Sequence, residues 1–128
     1  MQMGGTMVAR HHPVLVIEDE VDIRELMVEI LESAGYPVFA AADGAEALSY
    51  LRAGSRPCII LLDLMMPVMD GWTFSQEKQK DPALATIPVV VVSAVARHDP
   101  RNANMNAVDH LPKPLNIGKL LAAIELHC

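Results

Sequence analysis

Cys58-Ile59-Ile60-Leu61-Leu62-Asp63-Leu64-Met65-Met66-Pro67 is an apolar run with a single carboxylate near its end. Consecutive apolar positions with no polar alternation describe a strand covered on both faces, as found inside a parallel α/β sheet. In open sheets of that kind the binding crevice lies at the carboxyl ends of the strands, so Asp63 is delivered into it. The competing reading is an Asp that only caps the following loop. The rest of the chain decides between the two.

Toward the amino terminus, Val14-Leu15-Val16-Ile17 repeats the pattern and ends in Glu18, Asp19 and Glu20. From Val21 the apolar period turns helical. Ile23, Leu26, Met27, Ile30, Leu31 and Ala34 are predicted inward, and Asp22, Arg24, Glu25, Glu29 and Glu32 outward, until Gly35 stops the helix. Residues 36–41 give a second strand, and Asp43 is the predicted cap of a helix ending near Gly54.

Toward the carboxyl terminus, the turn Met69-Asp70-Gly71 leads into a helix over 72–79 that Asp81-Pro82 breaks. Trp72 and Phe74 at its start are taken as packing residues. The β-branched run over 87–93 is a fourth strand ending in Ser93. Between Ser93 and Lys113, Pro100, Asn102, Asn104 and Asn106 are poor helix formers, so a fourth helix there is predicted to be short or irregular. His110-Leu111 is a brief fifth strand, and Lys113 stands between Pro112 and Pro114. A last helix over 117–126 is capped by Asn116, with Ile117, Leu120, Leu121 and Ile124 turned inward. Strand and helix alternate five times, which predicts an α/β fold: a five-stranded parallel sheet with helices on both faces. Residues 1–12 show no period and are predicted to be a flexible leader to one domain over 13–128.

Composition narrows the function. The chain of 128 residues is 52% hydrophobic, yet no apolar run approaches the roughly 18 residues of a membrane span. No secretion signal is apparent, both thiols, Cys58 and Cys128, read as free, and the expected compartment is cytoplasmic. A net charge of −6 argues against sequence-independent binding to nucleic-acid phosphates. Neither GxGxxG nor a P-loop occurs.

The strand ends together present Glu18, Asp19, Asp63, Ser93 and Lys113. Converging carboxylates repel one another, and a hard divalent cation with oxygen ligands relieves this, Mg2+ before Zn2+ because no histidine joins them. A carboxylate can attack phosphorus to form an aspartyl phosphate if the incoming oxygens are neutralised. The cation, the Lys113 ammonium and the Ser93 hydroxyl would supply that neutralisation.

These residues sit in Val-Ile-Glu-Asp-Glu (16–20), Leu-Leu-Asp-Leu-Met-Met-Pro-Val-Met-Asp-Gly (61–71), Val-Val-Ser-Ala (91–94) and Leu-Pro-Lys-Pro-Leu (111–115). In that order they resemble the receiver domains of two-component response regulators, over nearly all of 13–128. The resemblance implies a flavodoxin-like, doubly wound (βα)5 fold and makes Asp63 the phosphoacceptor. It makes Asp19 a direct metal ligand, Glu18 a ligand acting through water, and the Met65 backbone carbonyl a further ligand, for Mg2+. Ser93 would bind the phosphoryl group and swing toward it. Lys113 would contact a phosphoryl oxygen, and the bond to Pro114 would be cis. The implied partners are a histidine kinase or histidine phosphotransfer protein as donor and a downstream protein target, with neither nucleic acid nor membrane. The domain would not be an enzyme beyond assisting its own phosphoryl transfer and slow dephosphorylation.

Two departures stand out. His110 occupies the position where such domains carry Tyr or Phe as the switch residue, which predicts a weakened or pH-sensitive switch. The Ser93 to Lys113 segment is short and asparagine-rich, on the surface where partners usually dock. Met65 and Val95, each two residues past Asp63 and Ser93, are apolar, so neither can orient an attacking water and the phosphoryl group should persist. A phosphatase of the haloacid-dehalogenase type resembles Asp-x-Asp, and Met65 stands at the second Asp. The other rival is a pseudo-receiver that acts by contact without phosphorylation.

Overall fold

The apolar strands dominate the architecture. The computed structural model describes residues 12–128. Val14–Ile17 (β1), Ile59–Leu62 (β3) and Val89–Ser93 (β4) are buried at every position. Val38–Ala41 (β2) and Asp109–Pro112 (β5) are partly exposed, as befits margins. The order is β2-β1-β3-β4-β5, with every pairing parallel. Leu62 lies opposite both Ile17 and Val91, so β1, β3 and β4 finish at one rim. This is the architecture predicted above.

Side chains alternate between two core layers because successive strand residues point to opposite faces. Leu15, Ile17, Ile60, Leu62, Val89 and Val91 meet Leu48, Leu51 and Phe74. Val14, Val16, Ile59, Leu61, Val90 and Val92 meet Met27, Leu31, Leu120 and Ile124 on the other side. The covering helices are Val21–Ser33 (α1), Gly44–Arg52 (α2), Gly71–Gln79 (α3), the single turn Pro82–Ala85 (α4) and Ile117–His127 (α5). The starts of α2 to α5 follow side-chain caps, whereas Glu20 before α1 makes no such bond. Asp43 accepts from Glu46 N while the Glu46 side chain accepts from Ala42 N, one residue before the cap. Asp70, Asp81 and Asn116 cap α3, α4 and α5.

Several expectations change. Asp81-Pro82 ends α3 as predicted but at once opens α4, because Pro fits the first helical position. Leu26 on α1 and Ala34 directly after it face outward, and Ile117 is half exposed at the start of α5. The segment between β4 and β5 is short and irregular as predicted: among the described residues it holds a 3-10 turn, Pro100–Asn102, and no α-helix. The thiols are not free: Cys58 and Cys128 are joined in a disulfide. Their 70-residue separation hides the pairing, which arises because α5 returns over the sheet to the amino-terminal end of β3. The predicted leader, apart from His12, falls outside the described residues.

The segment without a helix is nevertheless well tied. Trp72 Nε1 donates to Asn102 Oδ1 at 2.9 Å, and the Arg101 guanidinium lies 4.0 Å over the Trp72 ring. Asn102 donates to the Ala96 and Arg97 carbonyls. Gln79 donates to the Asn104 and Met105 carbonyls, and Met105 is buried. At the outer margin of β5, Arg97 donates to His110 O at 2.8 Å and pairs with Asp109, whose carboxylate accepts from His110 N.

Candidate functional site

Backbone bonds between neighbouring strands set the rim. Asp63 N donates to Ile17 O and Glu18 N to Ala41 O, each at 3.0 Å, which carries the sheet's alignment one residue past the strands. Glu18, Asp19 and Asp63 thereby converge, with a carboxylate oxygen of each within 4.8 Å of the others. Glu18 and Asp63 are buried and Asp19 is half-buried. Lys113 reaches into the group from the end of β5, its Nζ 2.6 Å from Glu18 Oε1 and 3.5 Å from Asp63 Oδ2. Its own N–H donates to Ser93 O, which seats the lysine beside the end of β4, and the Lys113–Pro114 bond is cis.

Electrostatics follow from that crowding. Burial pushes the Glu18 carboxyl up to about 7, opposed by the Lys113 hydrogen bond and reinforced by the Asp63 charge. Burial works against the Lys113 ammonium, but the Glu18 hydrogen bond and the Asp63 charge outweigh it and hold the group above its ordinary value. A pocket in which carboxylates compete for one ammonium and one of them leans toward protonation is short of positive charge. Three oxygen donors without histidine or thiolate suit a hard divalent ion, so the residues fit Mg2+.

Ser93 ends β4, buried, and its Oγ accepts from Val95 N at 3.1 Å. His110 Nε2 meets Val95 O at 3.1 Å, and because a carbonyl only accepts, that nitrogen carries the hydrogen. The Val95 backbone thus joins the Ser93 hydroxyl to the His110 ring. Met65 lies in the loop beyond Asp63 and is 57% exposed, whereas Met66 rests against the core. Trp72 and Phe74 do pack, Phe74 fully.

Sequence reasoning missed Arg24. It belongs to α1 but is half-buried, and its Nη1 donates to the carbonyls of Glu18 (2.9 Å) and Asp19 (3.3 Å), holding the acidic turn in place. A cation near a helix start, where the dipole disfavours it, was the available signal.

Comparison with known proteins agrees with this geometry. The family model described as "Response regulator receiver domain" matches residues 14–125. The chain belongs to that family. It is 36% identical over 114 residues to the probable transcriptional regulator ycf27 of Porphyridium aerugineum, covering 88% of this chain and 46% of that protein. The receiver thus spans about half the length of the first curated relatives it matches. Among solved structures it resembles the chemotaxis protein CheY4 of Vibrio cholerae, with a TM-score of 0.83 and 29% identity, covering 92% of this chain and 99% of that one. It also resembles the response regulator protein TrrA of Thermotoga maritima in complex with Mg2+–BeF, with a TM-score of 0.80 and 27% identity, covering 91% and 99%. As a receiver domain the chain is part of two-component signalling, in a family whose members partner with histidine kinases and are not generally classed as enzymes. Among the described residues no helix is long and apolar enough to cross a membrane.

Proposed function

We propose that this receiver accepts a phosphoryl group on Asp63 from the phosphohistidine of a histidine kinase or phosphotransfer protein, and signals through a surface change. An Asp63 carboxylate oxygen attacks phosphorus, the P–N bond to the donor imidazole breaks, and the departing nitrogen takes the electron pair. Mg2+, held by Glu18, Asp19, Asp63 and the Met65 carbonyl, would supply charge neutralisation for the transferred oxygens. Lys113 would leave Glu18 for a phosphoryl oxygen, and Ser93 would give up Val95 N to bind another. The observation that carries the reading is the convergence of Glu18, Asp19 and Asp63 with the Lys113 ammonium between two of them.

His110 follows as the switch residue, since the Val95 backbone that bonds Ser93 also bonds its ring. Exposed Val21, Met65, Val68 and Ile117 lie on segments leaving the rim and offer an apolar seat for a protein donor. We place the reaction in the cytoplasm, assign the leader and the receiver to 1–12 and 13–128, and assign this chain no nucleic-acid contact. Beyond assisting its own phosphoryl transfer and slow dephosphorylation, it would have no turnover.

Acetyl phosphate with Mg2+ tests the reading by intact mass. One phosphoryl increment is expected, absent in Asp63→Asn, decaying over minutes to hours because Met65 and Val95 cannot direct water. Decay within seconds would contradict the lifetime, and no increment at all would favour a pseudo-receiver acting by contact.

A further inference from the structure

The chain has two cysteines, and the fold brings them together across 70 residues, with Cα atoms 5.0 Å apart. Cys58 directly precedes β3, its N–H bonded to Pro13 O, so it is fixed to the sheet's amino-terminal rim. Cys128 directly follows α5 and is exposed, while Cys58 is half-buried. Helix α5 is anchored to the core by Leu120, Ala123 and Ile124, but none of residues 125–128 is buried, and Leu126 is 76% exposed. The disulfide is therefore the covalent tie of a helix end that packing holds weakly. It also bridges two elements whose other ends meet at Asp63 and Lys113: β3 lies between Cys58 and Asp63, and α5 follows the Lys113 turn.

We propose that Cys58 and Cys128 form a reversible thiol–disulfide site that clamps the end of α5 onto the start of β3. A small-molecule thiol opens it and a small-molecule disulfide closes it. In closing, one cysteine thiolate attacks a sulfur of the small disulfide and expels a thiolate. The second cysteine then attacks the protein sulfur of the mixed disulfide and expels another thiolate. Two protein thiols are oxidised, one small disulfide is reduced to two thiols, and the two protons pass to the released thiolates. An exposed Cys128 gives the exchanging thiol access, which a buried structural bridge would deny. A disulfide that cycles in this way is also the kind compatible with a reducing compartment.

The test compares the full chain after oxidised glutathione and after dithiothreitol, by thiol titration and amide hydrogen exchange. The oxidised protein should be monomeric with no titratable thiol. Reduction should speed exchange in residues 124–128 about tenfold or more while leaving β1 and β3 unchanged. Cys128→Ser should match the hydrogen exchange of the reduced protein in both buffers. Equal exchange in the two states, thiols that stay free in oxidised glutathione, or a bridge formed between two chains would each overturn the clamp. These readouts need no phosphorylation, so their failure leaves the Asp63 reading standing.

Discussion

The loops after β3 and after β4 leave the same rim of the sheet from adjacent strands, yet they differ in what chiefly holds them. The loop after β3 is tied mainly by near neighbours, Leu64 N to Asp63 Oδ1, Met69 N to Pro67 O, Gly71 N to Leu64 O and Thr73 N to Asp70 Oδ1, with one distant backbone bond from Gly44 N to Met69 O. The loop after β4 has local ties as well, such as Asn102 to Ala96 O and Arg97 O, but adds side chains distant in sequence, Trp72 and Gln79 from α3 and His110 from β5. A local loop can be written into a short motif. A loop fastened from a distance carries no motif and reads as weak helix.

The sharpest break in that contrast is Gly71→Ala. A methyl there would lie 2.5 Å from Asp63 O and 2.8 Å from Leu64 Cα, so the backbone behind the acidic rim must shift. Urea unfolding should register a loss of about 3 kcal/mol, with slower acetyl phosphate labelling; a loss below about 1 kcal/mol would show that close approach does not fix this loop. Next comes Asn102→Ala, which removes the acceptor of Trp72 Nε1 and the donors to Ala96 O and Arg97 O. A loss of about 2 kcal/mol is expected, with faster hydrogen exchange over 94–108 and none over 63–71. Faster exchange in both loops would mean they are one unit.

Val68 works in the other direction. Its φ of 66° puts a β-branched residue in the left-handed region, in a loop otherwise well satisfied. Val68→Gly should stabilise by about 1 kcal/mol, strain relief exceeding the added chain entropy, and a thermal midpoint that fails to rise would refute this. The smallest effect concerns pH. Hydrogen bonds from Arg101 hold Asp99 at about 2, so its contribution is present above the usual carboxylate range and lost as acid drives pH down through that value. Asp99→Asn should flatten the stability profile there, and an unchanged profile would remove Asp99 from the loop's support.

The same contrast explains what could be read from the sequence. Strands β1, β3 and β4 were legible because burial on both faces demands unbroken apolar runs, and the acids at their ends were legible because charge directly after such a run needs a purpose. Asp43 and Asn116 were legible as caps since capping acts over three residues. Arg24 was not, because its carbonyl partners are reached only once α1 has turned. Neither was the Cys58–Cys128 pairing, which depends on where α5 ends over the sheet. The exposure of Leu26 shows that helical period alone leaves the width of the inner stripe undetermined.

The Arg97–Asp109 pair at the flank of β5 has a consequence for the molecule among its neighbours. A bare marginal strand invites foreign strands to zip on, the first step of runaway stacking. Here His110 has both of its main-chain polar groups taken by side chains of its own domain. That flank is closed from within at its middle residue, so a second copy finds no free main-chain group of His110 to pair with.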